Sequence, residues 1–168
     1  MPEKETVARA REDAREGKSP STQAGEFVRE EFDHIREGKH GARSTKQVIA
    51  IGLSKARRAG VNLEAPARGK VSAETRKQAL RDSRAGRSRS HSAPSARRSR
   101  ATREALKREG HGAASAQSIS EQAHASARER SAAERHGAAL KAVRTKATKK
   151  PGPAASRAAG PRRTGTSG

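Results

Sequence analysis

The chain has 168 residues with 38 Lys and Arg against 18 Asp and Glu, a formal net charge of +20, and 30% apolar residues, most of them Ala. Phe27 and Phe32 are the whole aromatic content, and Cys, Trp and Tyr are absent. This excludes disulfides, thiolate metal sites and one core running the length of the chain, because low hydrophobicity with high net charge is the composition of disorder. The opening MPEKETVARA has no apolar h-region, so no signal peptide is expected. No apolar run approaches the roughly 20 residues of a membrane span. Charge is unevenly placed: residues 1–38 are net −3, residues 39–110 net +15 and residues 111–168 net +8.

The first predicted element, Glu3 to Glu16, is an exposed helix with a thin stripe of Val7, Ala10 and Ala14. Glu5 and Arg9 add an i,i+4 pair worth a few tenths of a kcal/mol, and Gly17 can end the helix. A second helix starts with Ser19 as N-cap and Pro20 at the first helical position. Val28, Phe32 and Ile35 fall on one face of it, with Ala24 and Phe27 flanking, and Gly38 ends it. Residues 39–43 form a short loop.

The third helix opens on a capping box of Ser44 and Gln47. Val48, Ile49, Ile51, Leu53 and Ala56 give it a broad apolar arc, and Gly60 is its natural C′ residue, with Val61 and Leu63 free to fold back as a cap. The two helices read as an αα-hairpin over about 19–63, with Val28, Phe32, Ile35, Ile49, Ile51 and Leu53 as its core. A core this small rarely stands alone, so it is expected to borrow surface from flanking helices, a second copy or a partner protein.

After Pro66 the apolar pattern thins. A fourth helix is predicted from Val71–Ser72 to Gly86, carrying Ala79 and Leu80. Residues 87–98 are an Arg/Ser stretch with no reason to order. Thr102 to Glu109 can form a short helix closed by Gly110. Ser118 and Glu121 read as a second capping box, opening an Ala-rich helix to about Ala147 that has good propensity and few large apolar residues. The tail from Lys149 is rich in Pro, Gly and Ala, and is expected to be disordered. The expected class is therefore mainly α with extensive disorder. It divides into an acidic helical lead (1–18), the hairpin (19–65), a basic Arg/Ser-rich linker with short helices (66–117), the Ala-rich helix (118–147) and a disordered basic tail (148–168). A faint internal echo links REGKHGARS at 36–44 to REGHGAAS at 108–115.

The stretch GKSPSTQAGEFVREEFDHIREGKHGARSTKQVIAIGLSKARRAGVNL resembles a family of small basic bacterial proteins of unknown function, over about residues 11–65. Some relatives carry a plasmid-stabilisation label. The resemblance implies a bacterial cytoplasmic setting and supplies neither catalytic residues nor a ligand.

Chemistry-bearing motifs are scarce. His stands at positions 34, 40, 91, 111, 124 and 136, with no i,i+4 pair. His34 and His40 straddle a helix end and can meet, but a metal site needs a third ligand, so neither metal nor cofactor is expected. No nucleophile elbow, Walker A or dinucleotide fingerprint is present, and apolar pocket walls are lacking, so no enzyme is expected.

The basic residues are the signal. Arg43, Lys46, Lys55, Arg57 and Arg58 on the hairpin are candidates for phosphate contact. Arg87, Arg89, Arg97, Arg98 and Arg100 would form a flexible second anchor, and Lys149, Lys150, Arg162 and Arg163 a trailing arm. With both Phe on the expected buried face, base stacking is not expected. The leading reading is a nucleoid-associated or accessory protein that binds nucleic acid, DNA over RNA, with little sequence preference. The alternatives are an adaptor that binds a protein, or its own copy, through the hairpin, and a hydrophilic stress-protective protein. No membrane partner is expected.

Overall fold

A computed structural model describes residues 2–88 and 95–148. Among these, seven α-helices follow one another: α1 (Lys4–Arg15), α2 (Pro20–Arg36), α3 (Thr45–Arg58), α4 (Ala73–Arg87), α5 (Ala96–Lys107), α6 (Ala116–Glu129) and α7 (Ala132–Thr148). A 3-10 turn at Gly112–Ala114 precedes α6. The chain is mainly helical, and its described residues hold no strand beyond an isolated bridge between Arg68 and Val71. It divides into two compact units, Met1–Ala123 and His124–Gly168.

Local chemistry sets the helix ends. Ser19, Ser44 and Ser72 each accept the amide three residues on, from Thr22, Gln47 and Thr75, which satisfies an orphan donor of the first turn. The return arm at α3 is displaced: Gln47 Oε1 accepts the amide of Arg43 at 2.9 Å rather than that of Ser44. Gly60 closes α3 with φ +94°. There its amide donates to Arg57 O and that of Val61 to Ala56 O, both at 3.1 Å, a Schellman closure that needs the left-handed backbone glycine adopts freely. The same pattern ends α1 at Gly17 and α2 at Gly38.

In the first unit α2 packs against both α1 and α3, and α3 against α4. Its core has two patches. One gathers Ala10, Ala24, Phe27 and Ala56, with Val7, Leu53, Val61 and Leu63 packed against them. The other gathers Ile35, Ala42, Val48, Ala113 and Ala114, with Phe32 alongside.

Several expectations are corrected here. The fully buried line of α2 is Ala24, Phe27, Glu31 and Ile35, while Val28 and Phe32 are only partly covered. On α3 the buried line is Thr45, Val48, Gly52 and Ala56, and Ile49, Ile51 and Leu53 are partly covered. Gly52 sits where the two helices meet: a Cβ there would lie 2.7 Å from Val28 Cα. On α1 the buried residues are Thr6, Ala10 and Asp13, and Ala14 is exposed. On α1 and α2, buried polar side chains take positions that apolar patterning assigns to solvent, and on α3 the small Gly52 lets the helices approach.

The region expected to be a linker contributes to the core. Helix α4 begins where Ser72 predicts, but it runs through Gly86 to Arg87. Asp82 of α4 reaches α3, its Oδ2 accepting from Ser54 Oγ at 2.7 Å, while Gln78 Nε2 of α4 itself donates to Asp82 Oδ1 at 3.0 Å. Gly86 lies so close to the Arg57 carbonyl that a Cβ would collide with it. Helix α5 starts at Ala96, inside the stretch expected to lack order, with Ser95 Oγ accepting the Arg98 amide at 3.3 Å. The two echoing segments touch: Gly41 N donates to Leu106 O at 2.9 Å, Ala42 N to Gly110 O at 3.0 Å, and Thr45 Oγ1 to Ala113 O at 2.7 Å.

The Ala-rich run is two helices rather than one. Ser118 is not a cap: Ser115 Oγ accepts the Ser118 amide at 3.1 Å and opens α6. In the second unit α7 opens on a reciprocal box, Glu134 N donating to Ser131 Oγ at 3.2 Å and Ser131 N to Glu134 Oε2 at 2.7 Å. The disorder expected at 148–168 concerns residues outside the described ones, apart from Thr148 at the end of α7.

Candidate functional site

The least expected feature of the first unit is a pair of adjacent carboxylates turned inward from α2. Glu30 is 4% exposed and Glu31 1%. A buried carboxylate is costly unless it is paired and hydrogen-bonded; Glu30 is both, while Glu31 is paired with Lys55 but its Oε1 accepts no hydrogen bond. Glu30 Oε1 accepts from Lys55 Nζ at 2.9 Å and Oε2 from the Glu3 amide at 3.1 Å; the buried Thr6 hydroxyl also bonds its carboxylate. The Glu3 amide precedes α1, so Glu30 faces the positive end of that helix. Lys55, reaching from α3, also contacts Glu31 Oε1. One ammonium thus ties α3 to two carboxylates of α2.

Charge and burial oppose each other in this group. Burial pushes the Glu30 carboxyl up, but Lys55, Thr6 and the Glu3 amide together hold it below its ordinary value. Burial pushes the Lys55 ammonium down, but Glu31 and Glu30 hold it above its ordinary value.

Two histidines close the other side of Glu31. His34, one helical turn further along α2, places Nδ1 3.7 Å from Glu31 Oε1. His40, beyond the Gly38 turn, places Nε2 3.5 Å from Glu31 Oε2. The rings meet edge to face with centroids 5.9 Å apart. Each ring is held by its other nitrogen, His34 Nε2 to Glu3 Oε1 at 2.9 Å and His40 Nδ1 to the Gly41 carbonyl at 3.0 Å. Lys39 donates to the same Glu3 oxygen at 3.2 Å. The His34 and Lys39 bonds hold the Glu3 carboxyl below its ordinary value.

Glu31 therefore supplies the third donor that the pairing of His34 and His40 lacked. One legible signal pointed to it, the Glu31–His34 spacing of i,i+3, which places both on one helix face. Glu31 lies outside the apolar face that the sequence marks on α2, so the pattern does not point to it.

The structure separates the basic residues expected to contact phosphate. Lys55 is engaged by Glu30 and Glu31. Arg57 is buried, donates to Glu64 O at 3.1 Å, and is pushed down by burial against the pull of Asp82. Neither presents a free charge at the surface. Arg58 is half-exposed, 3.7 Å from Asp82. Arg43 is 80% exposed, 3.4 Å from Glu109. Lys46, Arg87, Arg97, Arg98 and Arg100 are exposed. Arg89, Lys149, Lys150, Arg162 and Arg163 lie outside the described residues.

Helix α5 concentrates the exposed charge: it carries Arg97, Arg98, Arg100, Arg103 and Lys107 against the single acid Glu104, and none of its residues is buried. Comparison with protein-family models, with curated proteins and with solved structures gives no significant match. Among the described residues, no helix is long and apolar enough to cross a membrane.

Proposed function

We propose that this protein binds nucleic acid, DNA in preference to RNA, through phosphate contacts with little sequence preference. The observation that carries the reading is α5, a helix with five basic residues, a single acid and no buried residue. Such a surface attracts polyanions and gains by releasing the counterions condensed on them. The acids of the first unit do not cancel it, since Glu26, Glu30 and Glu31 already face Arg9 and Lys55. The contact set is Arg43, Lys46, Arg58, Arg87, Arg97, Arg98 and Arg100, joined by the tail bases outside the described residues. The absence of stacking aromatics supports nonspecific backbone binding over base readout. The resemblance over residues 11–65 supports a bacterial cytoplasmic or nucleoid setting, and no catalytic role is proposed.

The adaptor reading has one observation in its favour: Val71, just before α4, and Leu80 on it are 38% and 44% exposed. Fluorescence anisotropy with the full chain on two unrelated duplexes, titrated with salt, separates the readings. If six to eight bases engage, log K should fall against log salt with a slope of about −5 to −7 on both duplexes. Failure to bind either duplex at low salt sinks the nucleic-acid reading and leaves the adaptor.

A further inference from the structure

We propose that Glu31, His34 and His40 form a binding site for a divalent first-row transition ion of the zinc class. The three side chains bring one carboxylate oxygen and two ring nitrogens within 4.8 Å of one another. The proposal is independent of the nucleic-acid reading.

Hydrogen bonding orients the donors. A carbonyl oxygen only accepts, so His40 Nδ1 carries a proton toward Gly41 O at 3.0 Å. In the neutral ring, Nε2 then holds a lone pair, and it faces Glu31 Oε2 at 3.5 Å. His34 repeats the arrangement: Nε2–H donates to the Glu3 carboxylate at 2.9 Å, which leaves the Nδ1 lone pair facing Glu31 Oε1 at 3.7 Å. Two lone pairs aimed at the oxygens of one buried carboxylate call for a cation between them. Histidines that bind metals are held in this way, the second nitrogen donating to a carboxylate or a backbone carbonyl.

The dimensions fit as well. A tetrahedral ion with Zn–N near 2.0–2.1 Å sets its ligand atoms about 3.4 Å apart, so the present spacing closes with small side-chain rotations. Exposure is graded across the group, 2% for the Glu31 side chain, 13% for His34 and 16% for His40. The histidine side is thus the route of entry, and three protein donors leave a further position to water. Lys55 is the competing cation on Glu31, but it keeps its 2.9 Å bond to Glu30 if Glu31 turns toward the ion. The donor set of two imidazoles and a carboxylate favours zinc, cobalt or nickel over magnesium or calcium, which prefer oxygen.

The test uses the untagged full chain, stripped with chelator and titrated with Zn²⁺, with Co²⁺ absorption reporting coordination. One equivalent per chain should bind and raise the melting midpoint. His34→Ala and His40→Ala should each weaken binding by more than the roughly 10–100-fold that loss of an orienting partner costs, and Glu3→Gln by an amount within that range. No saturable binding, or affinity unchanged in both histidine variants, overturns the proposal. If a variant loses helicity, the wild-type chain still decides by NMR. The His34 and His40 imidazole signals must be the first to shift with one equivalent of Zn²⁺, and shifts led by any other histidine overturn the site.

Discussion

Lys55→Met is the most telling perturbation of the fold. Methionine keeps much of the apolar stem but removes the ammonium that Glu30 and Glu31 share. Glu30 then retains the Glu3 amide and the Thr6 hydroxyl, and Glu31 retains its histidine neighbours. Leaving a buried charge without its partner costs about 3–5 kcal/mol, and the surviving bonds place the expected loss near 3 kcal/mol at neutral pH. The pH dependence carries a sign. In the wild type, the folded Glu30 value lies below its ordinary 4.5, so its contribution is present above 4.5 and lost as pH falls through the folded value. The folded Lys55 value lies above its ordinary 10.5, so its contribution holds below 10.5 and is lost as pH rises through the folded value. In the variant, burial is opposed only by the Thr6 and Glu3 bonds, so Glu30 rises relative to the wild type and acidification relieves the unpaired charge rather than breaking a pair. Urea unfolding followed by circular dichroism, from about pH 8 down to about pH 4, should show the gap between variant and wild type narrowing as pH falls. A gap under about 1 kcal/mol at neutral pH, the value of an exposed pair, would refute the reasoning. So would a gap that widens on acidification.

Phe27→Ala should lose about 3–5 kcal/mol, because Phe27 is fully buried, and Phe32→Ala should lose less, because Phe32 is only partly covered. Equal losses in denaturant midpoints would contradict the assignment of faces on α2. Two glycine substitutions should act in opposite directions. At Gly52 the new Cβ would meet Val28 Cα at 2.7 Å, so Gly52→Ala should destabilise, with overpacking of about 1–3 kcal/mol exceeding a helix gain of at most about 1 kcal/mol. At Gly25 a Cβ meets nothing within 4 Å, so Gly25→Ala should stabilise by about 1 kcal/mol. Thermal melts of the pair check both signs.

Helix ends were the most legible part of this chain because they depend on neighbours in sequence. Ser19, Ser44 and Ser72 cap where their residue types predict, and Gly17, Gly38 and Gly60 terminate as expected. The Ser131–Glu134 box was equally open to reading and was passed over within an Ala-rich run. The echo between 36–44 and 108–115 was visible too, though nothing local said that the two segments would dock on each other.

Burial was harder to read, because apolar patterning treats every charge as solvent-facing. On α2 that assumption rotated the expected core face toward Val28 and Phe32 and away from Glu31. On α3 the apolar arc left out Gly52, a buried residue whose value lies in letting helices approach. The same assumption sets Lys55 and Arg57 among the phosphate contacts, whereas Lys55 is held by Glu30 and Arg57 donates to Glu64 O.

The sequence by itself determined a helical chain with a strong positive excess, where most of its helices begin and end, and how few apolar residues were available for a core. Only the tertiary structure decided that Glu31 is inside, that His34 and His40 converge on it, and that Lys55 is held there. A carboxylate is stable at a buried position only when cations and donors from other segments surround it, and which segments those are is settled by helix packing rather than by the residue's own neighbours.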